Sequence, residues 1–164
     1  MKAYEKSTGL STLKMALGGL GIIGGVWMIL APFVLNYGGA TVIDAKTKKP
    51  VPADLAAVTT SDIIVGVLLI ALVGFALLTA NNAALAKIRF YVSIAVVAVG
   101  VYLVAAPYLF DLLKVAEYMA LDKPNTNDQL IGLLTIVLGG YALQQEFFPT
   151  EAETSEVNTV ATSA

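Results

Sequence analysis

The chain has 164 residues, a net charge of −2 and only 13% charged residues, against about 25% in an ordinary soluble domain. It contains neither cysteine nor histidine. That excludes disulfide frameworks, thiol nucleophiles and thiolate clusters, and removes the commonest general base, metal ligand and haem ligand. Its 10 basic residues form no patch suited to nucleic acid.

Mean hydropathy is +0.78, and the charges are segregated to the termini and three connecting stretches. Long uncharged runs between them must face lipid or neighbouring helices. The pattern predicts an all-α integral membrane protein. Four transmembrane helices form two tandem, parallel two-helix repeats, with a short interfacial amphipathic helix. A very apolar soluble bundle is the alternative, but the runs show little polar face.

Residues 1–11 form a polar N-terminal tail carrying Lys2, Glu5 and Lys6. The first repeat covers 12–80, with a first span at about 12–35. Lysines ahead of an apolar run also suit a signal peptide. The run is long enough to span, no clean small-residue cleavage site follows, and its second half is duplicated later, so a retained helix is expected. A loop at 36–61 holds Gly38-Gly39, three lysines, Pro50 and Pro52. Within it Val42 to Lys49 reads as a solvated segment or a small hairpin. Ser61 or Asp62 then offers a side-chain oxygen to cap a second span at about 62–80.

A connection at 81–89 carries Lys87 and Arg89. The second repeat covers 90–147: a third span at about 90–110, an interfacial helix at about 111–121 and a fourth span at about 128–147. In the interfacial segment Leu112, Val115, Tyr118 and Met119 alternate with Lys114 and Glu117 at helical spacing. Residues 148–164 make an acidic tail with no basic residue, expected to be disordered. Four spans put both termini on one side. Basic residues divide equally between the sides, but Lys14, Lys87 and Arg89 sit at span ends, which places both termini in the cytoplasm.

The two halves match. Gly25, Val26, Ala31 and Pro32 align with Gly100, Val101, Ala106 and Pro107, and Trp27 and Phe33 align with Tyr102 and Tyr108. In the partner spans Asp62, Gly66 and Gly74 align with Asp128, Gly132 and Gly140 at a second constant offset. Apolar runs match by chance easily; a shared Gly-Val-aromatic-x-x-x-Ala-Pro-aromatic order with paired aspartates and glycines does not. A tandem copy of a two-span unit keeps its orientation in the membrane.

These residues resemble the SPW-repeat membrane proteins, small bacterial proteins with a duplicated pair of spans. Their repeat carries Gly-x-Trp and then Ser-Pro-Trp near the end of its first helix. Here Ala31-Pro32-Phe33 and Ala106-Pro107-Tyr108 replace Ser-Pro-Trp. The resemblance covers roughly residues 15–145 and implies residence in a bacterial cytoplasmic membrane. It brings no established activity or cofactor.

The signature residues are Gly25, Trp27, Pro32, Gly66, Gly74, Gly100, Tyr102, Pro107, Gly132 and Gly140. Pro32 and Pro107 free the carbonyls of Met28 and Leu103. Each either opens a hinge or coordinating break, or ends its helix near the interface; the second is the expectation. Trp27, Phe33, Tyr37, Tyr102 and Tyr108 either line a pigment, lipid or quinone site or anchor a helix at the boundary, and anchoring is expected. The glycines allow close helix packing. Asp62 and Asp128 are read as helix caps, with a cation site between them as the sharper alternative.

With no reactive constellation, the chain is expected to be non-catalytic and without a cofactor. The leading expectation is an accessory or scaffolding subunit of a larger membrane complex, in contact with lipid and with other membrane subunits or itself. An oligomeric transporter or channel for a small solute, or a binder of quinone, carotenoid or lipid, are the alternatives.

Overall fold

The structure is a computed structural model and describes residues 2–43, 46–80, 82–112 and 122–147. Four helices carry the fold. Helix α1 runs Lys2–Val34, α2 Ala56–Leu78, α3 Ala86–Leu112 and α4 Asp122–Phe147. Most of the expected interfacial helix at 111–121, and the acidic tail at 148–164, lie outside the described residues.

Helix α1 is continuous from the polar N-terminal segment through the first apolar run. It ends just after Pro32, where Asn36 turns left-handed at φ 54 and ψ 57; asparagine is one of the few non-glycine residues that enter this region readily. The chain then makes a 3-10 turn, Tyr37–Gly39, and a small hairpin in which β1 (Thr41–Ile43) pairs antiparallel with β2 (Pro50–Pro52). Thr41 sits opposite Pro52, Val42 opposite Val51 and Ile43 opposite Pro50. So the segment read as loop or hairpin is a hairpin, on a longer loop than expected. Its prolines suit an isolated two-stranded ribbon, where missing donors can face outward.

Helix α2 starts at Ala56, whose N–H donates to Asp54 Oδ1 at 3.2 Å. At its other end, Arg89 donates to the carbonyls of Thr79 and Asn82, both at 2.7 Å. A cation on the last carbonyls satisfies groups the helix leaves open. Helix α3 passes through Pro107 and continues to Leu112. Helix α4 begins at Asp122 with Pro124 in its first turn, where a missing N–H costs nothing.

The helices pack as two tight antiparallel pairs, α1 with α2 and α3 with α4, which meet more lightly through α2–α3 and α1–α4. The tight pairs depend on glycine. A Cβ on Gly25 would stand 2.8 Å from Gly66 O, and one on Gly66 would stand 2.5 Å from Gly25 O. The same mutual approach joins Gly100 and Gly132, each at 2.8 Å from the other's carbonyl oxygen. Further along, Gly21 packs on Val73, Gly18 on Leu77, and Gly139 on Val96 and Val97. Gly74 and Gly140 have nothing within 4 Å of a would-be Cβ. Among the described residues no helix packs on them, and in α4 the neighbouring Gly139 takes the contact with α3.

The centre is filled by Met28, Val65, Leu69, Val96, Leu103 and Ile131. A second cluster of Tyr37, Leu55 and Val58 packs with Val42, Ala53 and Phe110, so the turn and hairpin lie over one end of the bundle. The outward faces are apolar: Ile23, Phe33, Ile64, Val67, Val101, Leu130 and Val137 are all exposed. The best span in α2 has hydropathy 2.6 yet is only 22% buried, the reverse of a helix in a water-soluble core. Segments Leu13–Gly39, Ala56–Leu78 and Ala86–Leu112 are long and apolar enough to cross a membrane. Helix α4 is polar from Asp122 to Gln129 and again at Gln144–Gln145, leaving a shorter apolar stretch, Leu130–Leu143.

Candidate functional site

Asp62 and Asp128 do not cap their helices. Helix α2 already begins at Ala56 and α4 at Asp122, so both aspartates lie well inside. Asp54, in the preceding loop, holds the first-turn N–H instead. The helix starts early because Ala56 and Ala57 are good helix formers and Asp54 closes the end.

The two aspartates are among the most buried side chains described, each 1% exposed. They project one turn ahead of Val65 and Ile131, which meet in the central core. Above them the turn after α1 supplies Tyr37, 2% exposed. The Tyr37 hydroxyl feels both carboxylates and comes close to Asp62 and Asn127. Asp62 likewise feels Asp128 across the bundle. The site therefore draws on the end of α1, the turn, α2 and α4, sealed between the apolar centre and the hairpin.

Its hydrogen bonding is uneven. Trp27 Nε1 donates to Asn127 Oδ1 at 2.7 Å. Asn127 Nδ2 donates to Asp128 Oδ1 at 3.3 Å and approaches Met28 Sδ at 3.7 Å. Among the described residues neither oxygen of Asp62 accepts a hydrogen bond, and the Tyr37 hydroxyl makes none. The two face each other without completing one. Buried polar groups are hydrogen-bonded in the great majority of cases, so orphaned groups on two different elements set this place apart. Thr135, also buried, simply bonds back to Ile131 O at 2.8 Å.

Trp27 and Tyr102 each cross between the two helix pairs. Trp27 on α1 reaches Asn127 on α4. Tyr102 on α3 meets Ser61 on α2 at 2.8 Å between hydroxyls. Ser61 and Asn127 immediately precede Asp62 and Asp128. Each aromatic thus clamps the residue before the other pair's buried aspartate. Both rings remain partly exposed, at 36% and 38%. Pro32 and Pro107 are buried within their helices, one turn from Met28 and Leu103. The expectation that each proline ends its helix holds closely for Pro32, while α3 runs on past Pro107 through Tyr108, Leu109, Phe110 and Asp111 to Leu112.

An open apolar groove of about 820 Å³ lies between α2 and α3, lined by Ala56, Thr60, Ser61, Ile64, Ala98 and Tyr102 among others. Sequence reasoning missed Asn127, and it read Tyr37 only as one of the aromatic residues that line a ligand site or anchor a helix. Asn127 carries a signal in its neighbour, since the Ser61-Asp62 and Asn127-Asp128 pairs align. Among the described residues no group of three or more His, Cys, Asp or Glu side chains converges. Comparison with protein-family models, with curated proteins and with solved structures finds no match for this chain.

Proposed function

We propose that the chain is a non-catalytic integral membrane protein of four spans, built from two tandem two-helix units, that serves as an accessory or scaffolding subunit of a larger membrane assembly. One observation carries this reading: the centre of the bundle is filled by Met28, Leu69 and Leu103, while its outward faces carry exposed Ile, Leu, Val and Phe. A filled interior leaves the outer surface as the place where other molecules meet the protein. Small residues on the α2–α3 groove, Ala56, Ala57 and Ala98, let another backbone come close.

The duplicated unit is supported by the matching Gly25–Gly66 and Gly100–Gly132 contacts and by the paired Trp27–Asn127 and Tyr102–Ser61 clamps. In this reading α4 crosses the membrane with Asn127 and Asp128 turned into the bundle, and both termini lie in the cytoplasm. Residence in a bacterial cytoplasmic membrane and kinship with the SPW-repeat proteins belong to the same proposal.

The test is cross-linking of the full chain in intact membranes, then mild-detergent extraction and native mass spectrometry. The expected species is heavier than the 17.2 kDa chain, with a reproducible partner subunit or second copy. A lone monomer after cross-linking would sink the reading.

A further inference from the structure

The Asp62 carboxylate is 1% exposed, and among the described residues neither of its oxygens accepts a hydrogen bond. A carboxylate placed between apolar helices without compensation is among the costliest positions a side chain can take, and such placements persist where something else neutralises them. A second orphan, on a different element, points into the same space. The Tyr37 hydroxyl, on a residue 2% exposed, has no hydrogen-bond partner among the described residues and lies against Asp62 with Asp128 in reach.

The groups that meet here are oxygens. Asp62 offers two, Asp128 offers a carboxylate steadied by Asn127, and Tyr37 offers a phenol. Asn127 is itself held by Trp27, so this wall of the site is fixed by a bond from α1. Pro32 has no N–H to give to the carbonyl of Met28. That carbonyl points along α1 toward its C-terminal end, where the turn and Tyr37 begin. It lacks the donor that the next helical turn usually supplies. Hard oxygen donors select hard cations. The site is closed beneath the hairpin, which disfavours Mg²⁺, an ion that gives up its water reluctantly.

We propose that Asp62, Asp128 and the Tyr37 hydroxyl oxygen bind one hard cation, Na⁺ or Ca²⁺, between the two helix pairs. The cation neutralises the buried carboxylates and ties the turn after α1 to α2 and α4. With two carboxylates rather than three, the remaining coordination falls to the Met28 carbonyl or water.

The chain carries one tryptophan, and that tryptophan bonds the residue beside Asp128, so it reports on the site. Full-length protein in detergent micelles is titrated with NaCl or CaCl₂ at fixed pH, ionic strength being held with N-methylglucamine chloride. A saturable change in Trp27 emission with one of the two cations is expected. Its midpoint weakens by at least about tenfold in Asp62→Asn, and severalfold in Tyr37→Phe. The same cation raises the melting temperature of the wild type but not of Asp62→Asn. No saturable response to either cation overturns the proposal. So does an unchanged midpoint in a folded Asp62→Asn, or a response to pH alone, which would mean that the carboxylates share a proton. Should Asp62→Asn fail to fold, Tyr37→Phe decides, and an unchanged midpoint there overturns the proposal.

Discussion

Gly66 and Gly74 occupy the same helix and differ in what surrounds them. A methyl group on Gly66 would press on the Gly25 carbonyl oxygen at 2.5 Å and on Ile29 at 2.8 Å. A backbone oxygen cannot step aside as a flexible side chain can, so α1 and α2 must separate. Gly66→Ala is expected to destabilise the protein by about 1–3 kcal/mol. Gly74→Ala meets nothing and gains helix propensity, which favours it by up to about 1 kcal/mol. Unfolding followed by circular dichroism in mixed micelles orders the two variants, and equal stability would remove the glycine contact as the basis of the pair. Gly132→Ala, facing the Gly100 carbonyl at 2.8 Å, should behave like Gly66→Ala. The two clamps also differ. Trp27→Phe leaves the Oδ1 of Asn127, a residue 8% exposed, without its donor, at a cost of about 1–3 kcal/mol. Tyr102→Phe frees a half-buried serine hydroxyl on the open groove between α2 and α3, and should cost about 0.5–1 kcal/mol. Because the clamps sit on different helix contacts, the double variant should be additive within about 0.5 kcal/mol in the same unfolding assay.

At the level of elements, three long helices were legible because an uncharged apolar run of spanning length has few other solutions. Their starting points were not. Asp62 reads as a cap because it opens the apolar run, whereas the helix begins a turn and a half earlier at Ala56. Ala56 to Thr60 contain no apolar periodicity that would reveal them as helix. Asp128 misled for the same reason, since the polar turns from Asp122 to Asn127 look like a loop containing a proline. In both cases an acid at the edge of hydropathy is buried, not exposed, because the helix begins before it and turns it into the bundle. Asp54 is the residue that closes α2. Asp54→Ala should cost about 1 kcal/mol, the usual value of an end-capping oxygen. Asp54→Ala should also leave the Trp27 emission maximum unchanged, since Asp54 lies outside the Trp27–Asn127–Asp128 chain. A shift in that maximum would mean that the hairpin and the buried site move together.

For the whole molecule the deciding matter is whether α4 crosses the membrane. Its apolar stretch, Leu130–Leu143, is shorter than the spans of the other three helices. Against that, α4 packs along α3 through Gly132 and Gly139, and its buried polar face, Asn127 and Asp128, is turned toward the bundle rather than outward. A helix held in this way can carry polar residues at membrane depth, because its partners and not lipid surround them. Absence of native cysteine makes the topology directly measurable. Single variants Ser7→Cys, Lys49→Cys and Ser155→Cys are each labelled with a membrane-impermeant maleimide from one side of sealed vesicles. If α4 spans, Ser7→Cys and Ser155→Cys react from the same side, and Lys49→Cys, in the hairpin loop, from the other. If α4 lies on the surface, the chain crosses three times and Ser155→Cys reacts together with Lys49→Cys. That second pattern would also dismantle the two-unit reading, because tandem copies of one membrane hairpin must return the chain to the side from which it set out.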